Sequence, residues 1–339
     1  MEDRTRIEDD QAGLPTPGRV ACSAQRPLRS SPTGHARKEV PMGTSPPDAG
    51  KRILITGASG AVGYATCELL TKRGHRIAGT LRSRGGRSSQ AADGLDALGA
   101  AVIEMDVTDD ASVERGAAAA IDALGGLDVV FNNAGIGAYG VQELFTADEM
   151  HRVFDVNLYG VQRVMRAVLP HLRRQGAGTI VYTSSLIGRV SIPFYATYCA
   201  SKWALEALAQ SYRAELARFG IDSFIVEPGA LPTPFLDGML EPRDASDDYA
   251  PEAAALEPSL RGMVGWLESI AEQRPEMVAR IVADVIEAPR GEKPFRVVAD
   301  RSGMGEGIAR YNEALGQVTR ALYAANGMEE MLTLNAGPT

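Results

Sequence analysis

The chain has 339 residues, of which 45% are hydrophobic and 23% charged, and its formal net charge is -8. These values are typical of a soluble globular protein, and the acidic balance offers no basic surplus for binding nucleic acid. No run of about 18 apolar residues occurs, so no membrane span is expected. The N-terminus lacks an apolar signal core, and the three cysteines show no metal-ligand spacing. We therefore expect a reduced, cytoplasmic protein without a bound metal.

The first fifty residues differ in composition from the rest of the chain. They contain seven of the 19 prolines and show almost no apolar periodicity. Such a segment buries too little apolar surface to offset its chain entropy, so residues 1–50 are predicted to be a disordered extension. Its acidic residues argue against an organelle presequence. An extension without a function is favoured, and translation from Met42 would produce the same pattern.

From Lys51 onward, short apolar runs alternate with helical patterns. Helices are predicted at Tyr64–Lys72, Ala111–Leu124, Val153–Leu172 and Tyr198–Phe219. The apolar runs predict seven strands: Arg52–Thr56, Arg76–Thr80, Ala101–Met105, Val129–Asn132, Thr179–Thr183, Asp222–Val226 and Phe295–Val298. Apolar strands that alternate with helices indicate an α/β fold with a single doubly wound parallel sheet, covered by helices on both faces.

We expect one Rossmann-like catalytic domain over residues 51–300, since a single core of about this size is possible. A helical substrate lid is placed at 232–266 and a C-terminal helical cap at 301–339. Three further helical patterns, Leu260–Glu272, Pro275–Glu287 and Gly307–Ala325, are assigned to this lid and cap.

A glycine-rich turn over residues 57–63, the glycine turn, lies between the first strand and the first helix. Gly57 permits a tight turn, Gly60 lets the backbone approach a pyrophosphate, and Gly63 lets the helix pack closely on the strand. The helix N-terminus offers unpaired N–H groups and the positive end of its dipole. This context predicts a dinucleotide site, with Ser59 and Val62 among its contacts.

The residues after the second strand indicate which dinucleotide is bound. NAD-specific proteins place a carboxylate there for the ribose 2′-hydroxyl. This chain has Leu81 and Arg82 instead, and the Arg82 guanidinium is suited to pairing with a 2′-phosphate. We therefore predict NADP(H), with NAD(H) as the alternative. Arg84 and Arg87 are equally consistent with a solvated loop.

A serine, a tyrosine and a lysine follow the fifth predicted strand in the order Ser185, Tyr198, Lys202. Tyrosine and lysine four residues apart share one face of a helix, although such a pair alone is uninformative. Here it comes after the glycine turn, an Asn-Asn-Ala-Gly segment at 132–135 and a Val-Asn-Leu segment at 156–158. With these motifs in this order, residues 51–300 resemble the short-chain dehydrogenase/reductase family.

The resemblance implies that Asn157, Ser185, Tyr198 and Lys202 are catalytic. Tyr198 would exchange a proton with the substrate oxygen, and an adjacent ammonium group would stabilise its phenolate. In the family's pattern, Lys202 also binds the cofactor ribose, Ser185 orients the reacting oxygen, and Asn157 belongs to a proton relay. Beyond the glycine turn, Arg82, Tyr198 and Lys202, the expected cofactor contacts are Asp106, Val107, Asn132, Ala134, Pro228, Gly229 and Thr233.

The glycine spacing departs from the family's shorter, single-domain branch, because residue 61 is alanine and the middle glycine is Gly60. That spacing is more typical of the longer branch, which includes sugar epimerases. The other motifs favour the shorter branch, and the run Tyr198–Glu206 is similar to steroid- and retinol-dehydrogenase-like members. The lid residues, from Phe235 to Trp266, could line an apolar pocket or form ordinary helical core.

The resemblance thus implies an oxidoreductase that transfers a hydride between NADP(H) and a small apolar alcohol or ketone, and a homo-oligomer. Two alternatives stay open: a nucleotide-sugar epimerase or dehydratase, and an NADP-binding sensor without catalysis.

Overall fold

A computed structural model describes residues 50–335, so the predicted disordered extension lies outside the described residues, apart from Gly50. The centre is a seven-stranded sheet with the order β3-β2-β1-β4-β5-β6-β7, and every neighbouring pair is parallel. The predicted doubly wound α/β fold is confirmed. The strands are β1 Arg52–Ile55, β2 Arg76–Leu81, β3 Ala101–Glu104, β4 Val129–Asn132, β5 Gly178–Thr183, β6 Ile221–Pro228 and β7 Arg296–Ala299.

Ten helices surround or extend this sheet in the described range. None of them is long and apolar enough to cross a membrane. They are α1 Ala61–Lys72, α2 Ser89–Ala97, α3 Asp110–Leu124, α4 Ala147–Phe154, α5 Gly160–Gln175, α6 Ala196–Ala217, α7 Pro234–Asp237, α8 Ala250–Ser269, α9 Pro275–Glu287 and α10 Gly305–Ala325.

The core consists of two apolar layers, one on each face of the sheet. Successive strand residues point to opposite faces, so Leu54 and Val130 pack with α3, α5 and α6, whereas Ile53 and Phe131 pack with α1 and α9. All four residues are 0% exposed. Both faces are therefore covered, which explains why the central strands are apolar throughout.

The assignment of Pro275–Glu287 to the lid or cap is wrong. The helix has the predicted bounds, but as α9 it packs against α1 and lies on the sheet. Met277, Val278, Val282 and Ile286 are buried in the core layer. The helix connects β6 to β7, and its apolar face covers the sheet as a crossover helix does.

The single helix predicted at Val153–Leu172 is two helices. Helix α4 begins earlier, after a capping box in which Thr146 and Glu149 satisfy each other's backbone N–H groups. A π turn over Asp155–Tyr159 then separates α4 from α5. Such turns distort the regular ladder and are frequent at functional sites. Here the turn contains Asn157.

The segment predicted as a lid contains α7 and most of α8, between β6 and α9. Helix α8 buries only Leu267 among its 20 residues. Trp266 is 43% exposed and Phe235 is 41% exposed. Most of this helix thus faces solvent, and its apolar residues do not form a helical core of their own.

Candidate active site

The glycine turn has the conformation that its sequence predicts. Gly57 has a φ of +66°, which favours glycine. A Cβ atom on Gly63 would lie 2.5 Å from the Gly57 carbonyl oxygen, so α1 approaches the turn too closely for a side chain. No side chain caps α1, and Ser59 and Gly60 before it are exposed. The open N–H groups at this end, next to the half-buried Val62, fit a pyrophosphate.

Asn133 connects the glycine turn to the end of β4 by hydrogen bonds. It was not among the predicted site residues. Its Nδ2 donates to the carbonyl oxygens of Thr56 and Gly57, at 3.0 and 3.2 Å. The Thr56 hydroxyl in turn accepts from the N–H groups of Asn133 and Ala134. Ala134 therefore lies beside the turn. Asn132 instead points into the core, where its Nδ2 lies 3.7 Å from the Met165 sulfur.

The end of β2 carries an exposed arginine. Leu81 is buried, and Arg82 immediately after it is exposed. Arg84 is already occupied, because its guanidinium pairs with Asp96 and its backbone N–H donates to Glu104 at 2.8 Å. The side chain of Arg87 lies outside the described residues. Arg82 is thus the arginine best placed to meet a cofactor.

Two further predicted cofactor residues follow β3. The Asp106 carboxylate accepts from the N–H and the hydroxyl group of Thr108, at 3.0 and 2.7 Å, and so shapes the turn. Val107 is buried against Gly160 of α5, where any Cβ would come within 2.9 Å of the valine. Val107 and Asp106 therefore border the crevice at the carboxyl ends of the strands.

Pro228, Gly229 and Thr233 lie after or at the end of β6. Gly229 is packed so closely that a Cβ would lie 2.2 Å from Asp300 Oδ1, and the Pro228 carbonyl accepts from the Ser185 hydroxyl at 3.5 Å. Thr233 is half-buried before the first turn of α7. The segment after β6 is therefore held next to the candidate catalytic serine.

Ser185, Tyr198 and Lys202 lie together at the carboxyl end of β5. Ser185 follows the strand, and the other two occupy the first turns of α6. The ammonium nitrogen of Lys202 donates to the Thr183 carbonyl at 2.8 Å and lies 5.7 Å from the centre of the Tyr198 ring. The Ser185 hydroxyl lowers the pKa of Tyr198.

Burial dominates the pKa of both Tyr198 and Lys202. It raises the pKa of Tyr198 well above 10, against the opposing effect of the Ser185 hydroxyl. It lowers the pKa of Lys202 to about 8, against the opposing effect of the Glu206 carboxylate. At pH 7, Tyr198 is therefore a phenol and Lys202 an ammonium. The expected stabilisation of the Tyr198 phenolate by Lys202 stays a prediction.

The Asn157 side chain connects three backbone segments around the site by hydrogen bonds. Its Nδ2 donates to the Ile136 carbonyl and the Ser201 hydroxyl at 2.9 and 3.0 Å, and its Oδ1 accepts from the Ile136 N–H at 2.9 Å. The π turn, the loop after β4 and α6 are thereby tied together. Its part in a proton relay stays a prediction.

An apolar wall borders Tyr198. The Phe235 ring lies 6.1 Å from the tyrosine ring in an edge-on arrangement. A Cβ on Gly137 would come within 2.5 Å of Met239, so the loop after β4 packs tightly on the segment after α7. Phe194 has a φ of +69°, which is rare for a bulky residue, and its carbonyl accepts from Gly140 at 2.8 Å. The sequence gives no sign of the positive φ of Phe194 or of these contacts.

The chain matches the family model described as short chain dehydrogenase over residues 51–243. A 3-ketodihydrosphingosine reductase of Bacteroides thetaiotaomicron is 34% identical over 58% of this chain and 71% of its own. Retinol dehydrogenase 8 of Bos taurus is 33% identical over 57% of this chain and 63% of its own. Estradiol 17-beta-dehydrogenase 1 of Rattus norvegicus is 32% identical over 70% and 71%. The expected likeness to steroid- and retinol-dehydrogenase-like members is confirmed.

Solved structures agree with this assignment. A short chain dehydrogenase/reductase from Burkholderia phymatum in complex with NAD is 27% identical, with a TM-score of 0.65 over 79% of this chain and 95% of its own. An alcohol dehydrogenase from Thermococcus sibiricus, complexed with 5-hydroxy-NADP, is 26% identical, with a TM-score of 0.57 over 73% and 95%. The chain therefore belongs to the short-chain dehydrogenase family and is an NAD(P)-dependent oxidoreductase that acts on CH–OH groups.

Proposed function

We propose that this chain transfers a hydride between NADP(H) and an apolar alcohol or ketone, with Tyr198 as the general acid and base. The observation that carries the proposal is the grouping of Ser185, Tyr198 and Lys202 at the carboxyl end of β5. That edge of a parallel sheet is where doubly wound folds bind their ligands. The glycine turn ends at the same edge and fits a dinucleotide pyrophosphate.

The bound nicotinamide would supply or accept the hydride, and the protein would supply position and charge. In the direction of reduction, Tyr198 donates its proton to the carbonyl oxygen while the Ser185 hydroxyl donates a hydrogen bond to the same oxygen. The Lys202 ammonium stabilises the phenolate that remains. In oxidation, the transfer is reversed, and the phenolate form of Tyr198 accepts the proton of the alcohol. Because burial raises the pKa of Tyr198, its phenol form at pH 7 is ready to donate.

The preference for NADP(H) rests on Arg82. Its side chain is exposed at the end of β2, where the buried Leu81 offers no carboxylate to the ribose. An arginine pairs strongly with a phosphate through a charge-assisted hydrogen bond. The nearby Asp96 carboxylate is paired with the Arg84 guanidinium and the Glu104 carboxylate accepts from the Arg84 backbone N–H, which lessens their repulsion of a 2′-phosphate.

An apolar substrate is supported by the wall beside Tyr198, in which the Phe235 ring lies 6.1 Å from the tyrosine ring and Met239 lies next to Phe235 around Gly137. Phe235 and Trp266, both in the segment predicted as a lid, are also 41% and 43% exposed. The relatives named above for ketodihydrosphingosine, retinol and estradiol are named for molecules with large apolar parts. An apolar carbonyl compound or alcohol matches both observations.

The epimerase alternative depended on the glycine spacing. Gly60 is the residue before α1, and a Cβ there would meet its nearest neighbour at 3.4 Å, an ordinary contact. The unusual spacing therefore changes little at the turn itself. The sensor alternative has no observation in its favour, since Asn157, Ser185, Tyr198 and Lys202 are all present around one site.

The proposal is tested by NADPH oxidation with a panel of carbonyl compounds. Each apolar ketone is paired with a polar ketone of similar size, and each pair is assayed with NADPH and with NADH. We expect turnover with apolar members and a higher kcat/KM with NADPH. If no member supports NADPH oxidation although the protein binds the cofactor, catalysis is disproved and the sensor is favoured.

A further inference from the structure

A cluster of four buried charges lies behind Lys202, outside the site described above. It contains Glu206 on α6, Glu227 at the end of β6, Arg189 in the loop after β5 and Arg296 on β7. The side chains are between 0 and 7% exposed. Buried charges are costly unless they are paired, so the way in which these four are paired matters for the site beside them.

The two carboxyl groups differ in how closely the arginines approach them. Arg296 Nε lies 2.8 Å from Glu206 Oε2, a close ion pair. Glu227 Oε1 lies 3.7 Å from Arg189 Nε and 3.8 Å from Arg296 Nε, too far for hydrogen bonds. The nearest partner of Glu227 is neutral: Asn312 of α10 donates to its Oε2 at 2.5 Å. Glu227 is thus the carboxyl group with less support for a negative charge.

Arg189 is held away from a direct hydrogen bond to either carboxylate. Its Nε donates to Asn312 Oδ1 at 3.0 Å. Its guanidinium carbon lies 4.9 Å from the centre of the Tyr311 ring and 5.7 Å from that of Trp203. The aromatic rings of α10 and α6 therefore fix this arginine, and it cannot move to neutralise Glu227 without losing these contacts.

Among the described residues, one oxygen on each carboxyl group, Glu206 Oε1 and Glu227 Oε1, has no hydrogen-bond donor. The two carboxyl groups meet at one guanidinium, since Glu206 Oε2 and Glu227 Oε1 lie 2.8 and 3.8 Å from the same nitrogen, Arg296 Nε. Two carboxylates cannot bond, because neither carries a donor, whereas one shared proton supplies it. Burial and the neighbouring Glu206 raise the pKa of Glu227 well above its usual range, which favours keeping a proton on the pair.

We propose that Glu206 and Glu227, the carboxyl pair, share one proton, and that the remaining negative charge keeps the Lys202 ammonium protonated and in place. Glu206 lies one helical turn after Lys202 on α6, on the same face. The other groups next to the lysine are neutral: the Thr183 carbonyl on β5 and the Asn157 amide across Gly135. Both glutamates are thus positioning residues, and this inference rests on the proposed role of Lys202.

The carboxyl pair would also protect Lys202 as the pH rises. With one shared proton, the carboxyl pair carries one negative charge, and Glu206, the member next to Lys202, raises the pKa of the lysine. When the proton leaves, negative charge is added near Lys202, which favours its ammonium form. Ionisation of the pair therefore opposes the burial of the lysine, which lowers its pKa to about 8 despite Glu206.

Three variants test the proposal. Glu227→Gln keeps a donor towards Glu206 but cannot ionise, and Glu206→Gln removes the charge beside Lys202. Asp222→Asn is the matched control. Asp222 is equally buried on β6 and pairs with Arg213 of α6 at 3.3 Å, at the far end of the same two elements. A purely structural role of the cluster predicts similar effects for all three.

The proton is detected by the infrared carbonyl band of a protonated carboxyl group, which requires no turnover. We expect a band at pH 7 that is present in the wild type and Asp222→Asn, is absent in Glu227→Gln and disappears at alkaline pH. Identical spectra of the wild type and Glu227→Gln at pH 7 would overturn the shared proton.

The effect on Lys202 is measured by NMR titration of its side chain, assigned with Lys202→Arg. We expect Glu206→Gln to lower the pKa of Lys202 by about one unit, and the alkaline limb of kcat to move with it. An unchanged titration, or an equal shift in Asp222→Asn, overturns the positioning role. If the titration shifts but the wild type reduces no ketone, the carboxyl pair stands and the proposed function fails.

Discussion

The ammonium nitrogen of Lys202 lies 5.7 Å from the centre of the Tyr198 ring, one helical turn away. A hydrogen bond of 2.8 Å to the Thr183 carbonyl holds it there, because β5 ends beside α6. The position of the lysine is thus set by backbone and by burial. Burial acts on the two groups in opposite directions, because it raises the pKa of Tyr198 and lowers that of Lys202.

Lys202→Met is expected to stabilise the protein at pH 7 while it abolishes turnover. The pKa of Lys202 is lowered from 10.5 to about 8, so the unfolded chain binds more protons between these values. The penalty for burying the charge is therefore fully present below pH 8 and is relieved as the pH rises towards 10.5. A shift of this size corresponds to about 3 kcal/mol, less about 1 kcal/mol for the lost hydrogen bond.

The free energy of unfolding is measured in denaturant at pH 7 and pH 10 for the wild type and Lys202→Met. The control is Lys72→Met, because Lys72 is exposed on α1 and pairs only with Glu68 of the same helix. A stabilisation that is the same at both pH values would show that the buried charge is not its cause.

Arg82→Asp is expected to move the cofactor preference towards NADH. A charged hydrogen bond to a 2′-phosphate contributes roughly 1.5–3 kcal/mol, so kcat/KM with NADPH should fall at least about tenfold. The control is Arg84→Gln, since Arg84 pairs with Asp96 and should leave the ratio alone. An unchanged ratio of NADPH to NADH in Arg82→Asp would show that this arginine does not contact the phosphate.

Gly63→Ala is expected to weaken both the fold and cofactor binding. The new Cβ would lie 2.5 Å from the Gly57 carbonyl oxygen and 2.7 Å from Asn133 Nδ2, and such overpacking costs about 1–3 kcal/mol. Gly60→Ala in the same turn meets nothing closer than 3.4 Å. Thermal unfolding and NADPH titration should therefore separate the two variants, and equal behaviour would mean that the turn is not rigid.

Most of the fold could be predicted because central strands buried on both faces are apolar throughout. Helix α2 was missed, since only Ala92 and Leu95 are buried in its nine residues. Helix α4 was missed because its capping box at Thr146 and Glu149 precedes the apolar pattern that was recognised. The bounds of α9 could be predicted but its place on the sheet could not, because local periodicity does not show which helix covers the sheet.

The candidate site could be predicted where its residues follow a motif in order. Ser185 follows a recognisable apolar strand, and Tyr198 and Lys202 are four residues apart, the spacing that places them on one face of a helix. The carboxyl pair could not be predicted, because Glu206 and Glu227 meet only when α6 packs on β6, with arginines from two further segments around them. No local pattern marks such a cluster.

The central claim, that Tyr198 handles the proton, is tested most directly by Tyr198→Phe. The matched control is Tyr212→Phe, which removes a half-buried hydroxyl on the same helix that donates to Gln162, away from the site. The measurement is kcat for NADPH-dependent ketone reduction, with the NADPH dissociation constant measured alongside. The account predicts a loss in kcat of at least about a hundredfold in Tyr198→Phe alone, with cofactor affinity little changed. Equal turnover by Tyr198→Phe and the wild type would contradict it.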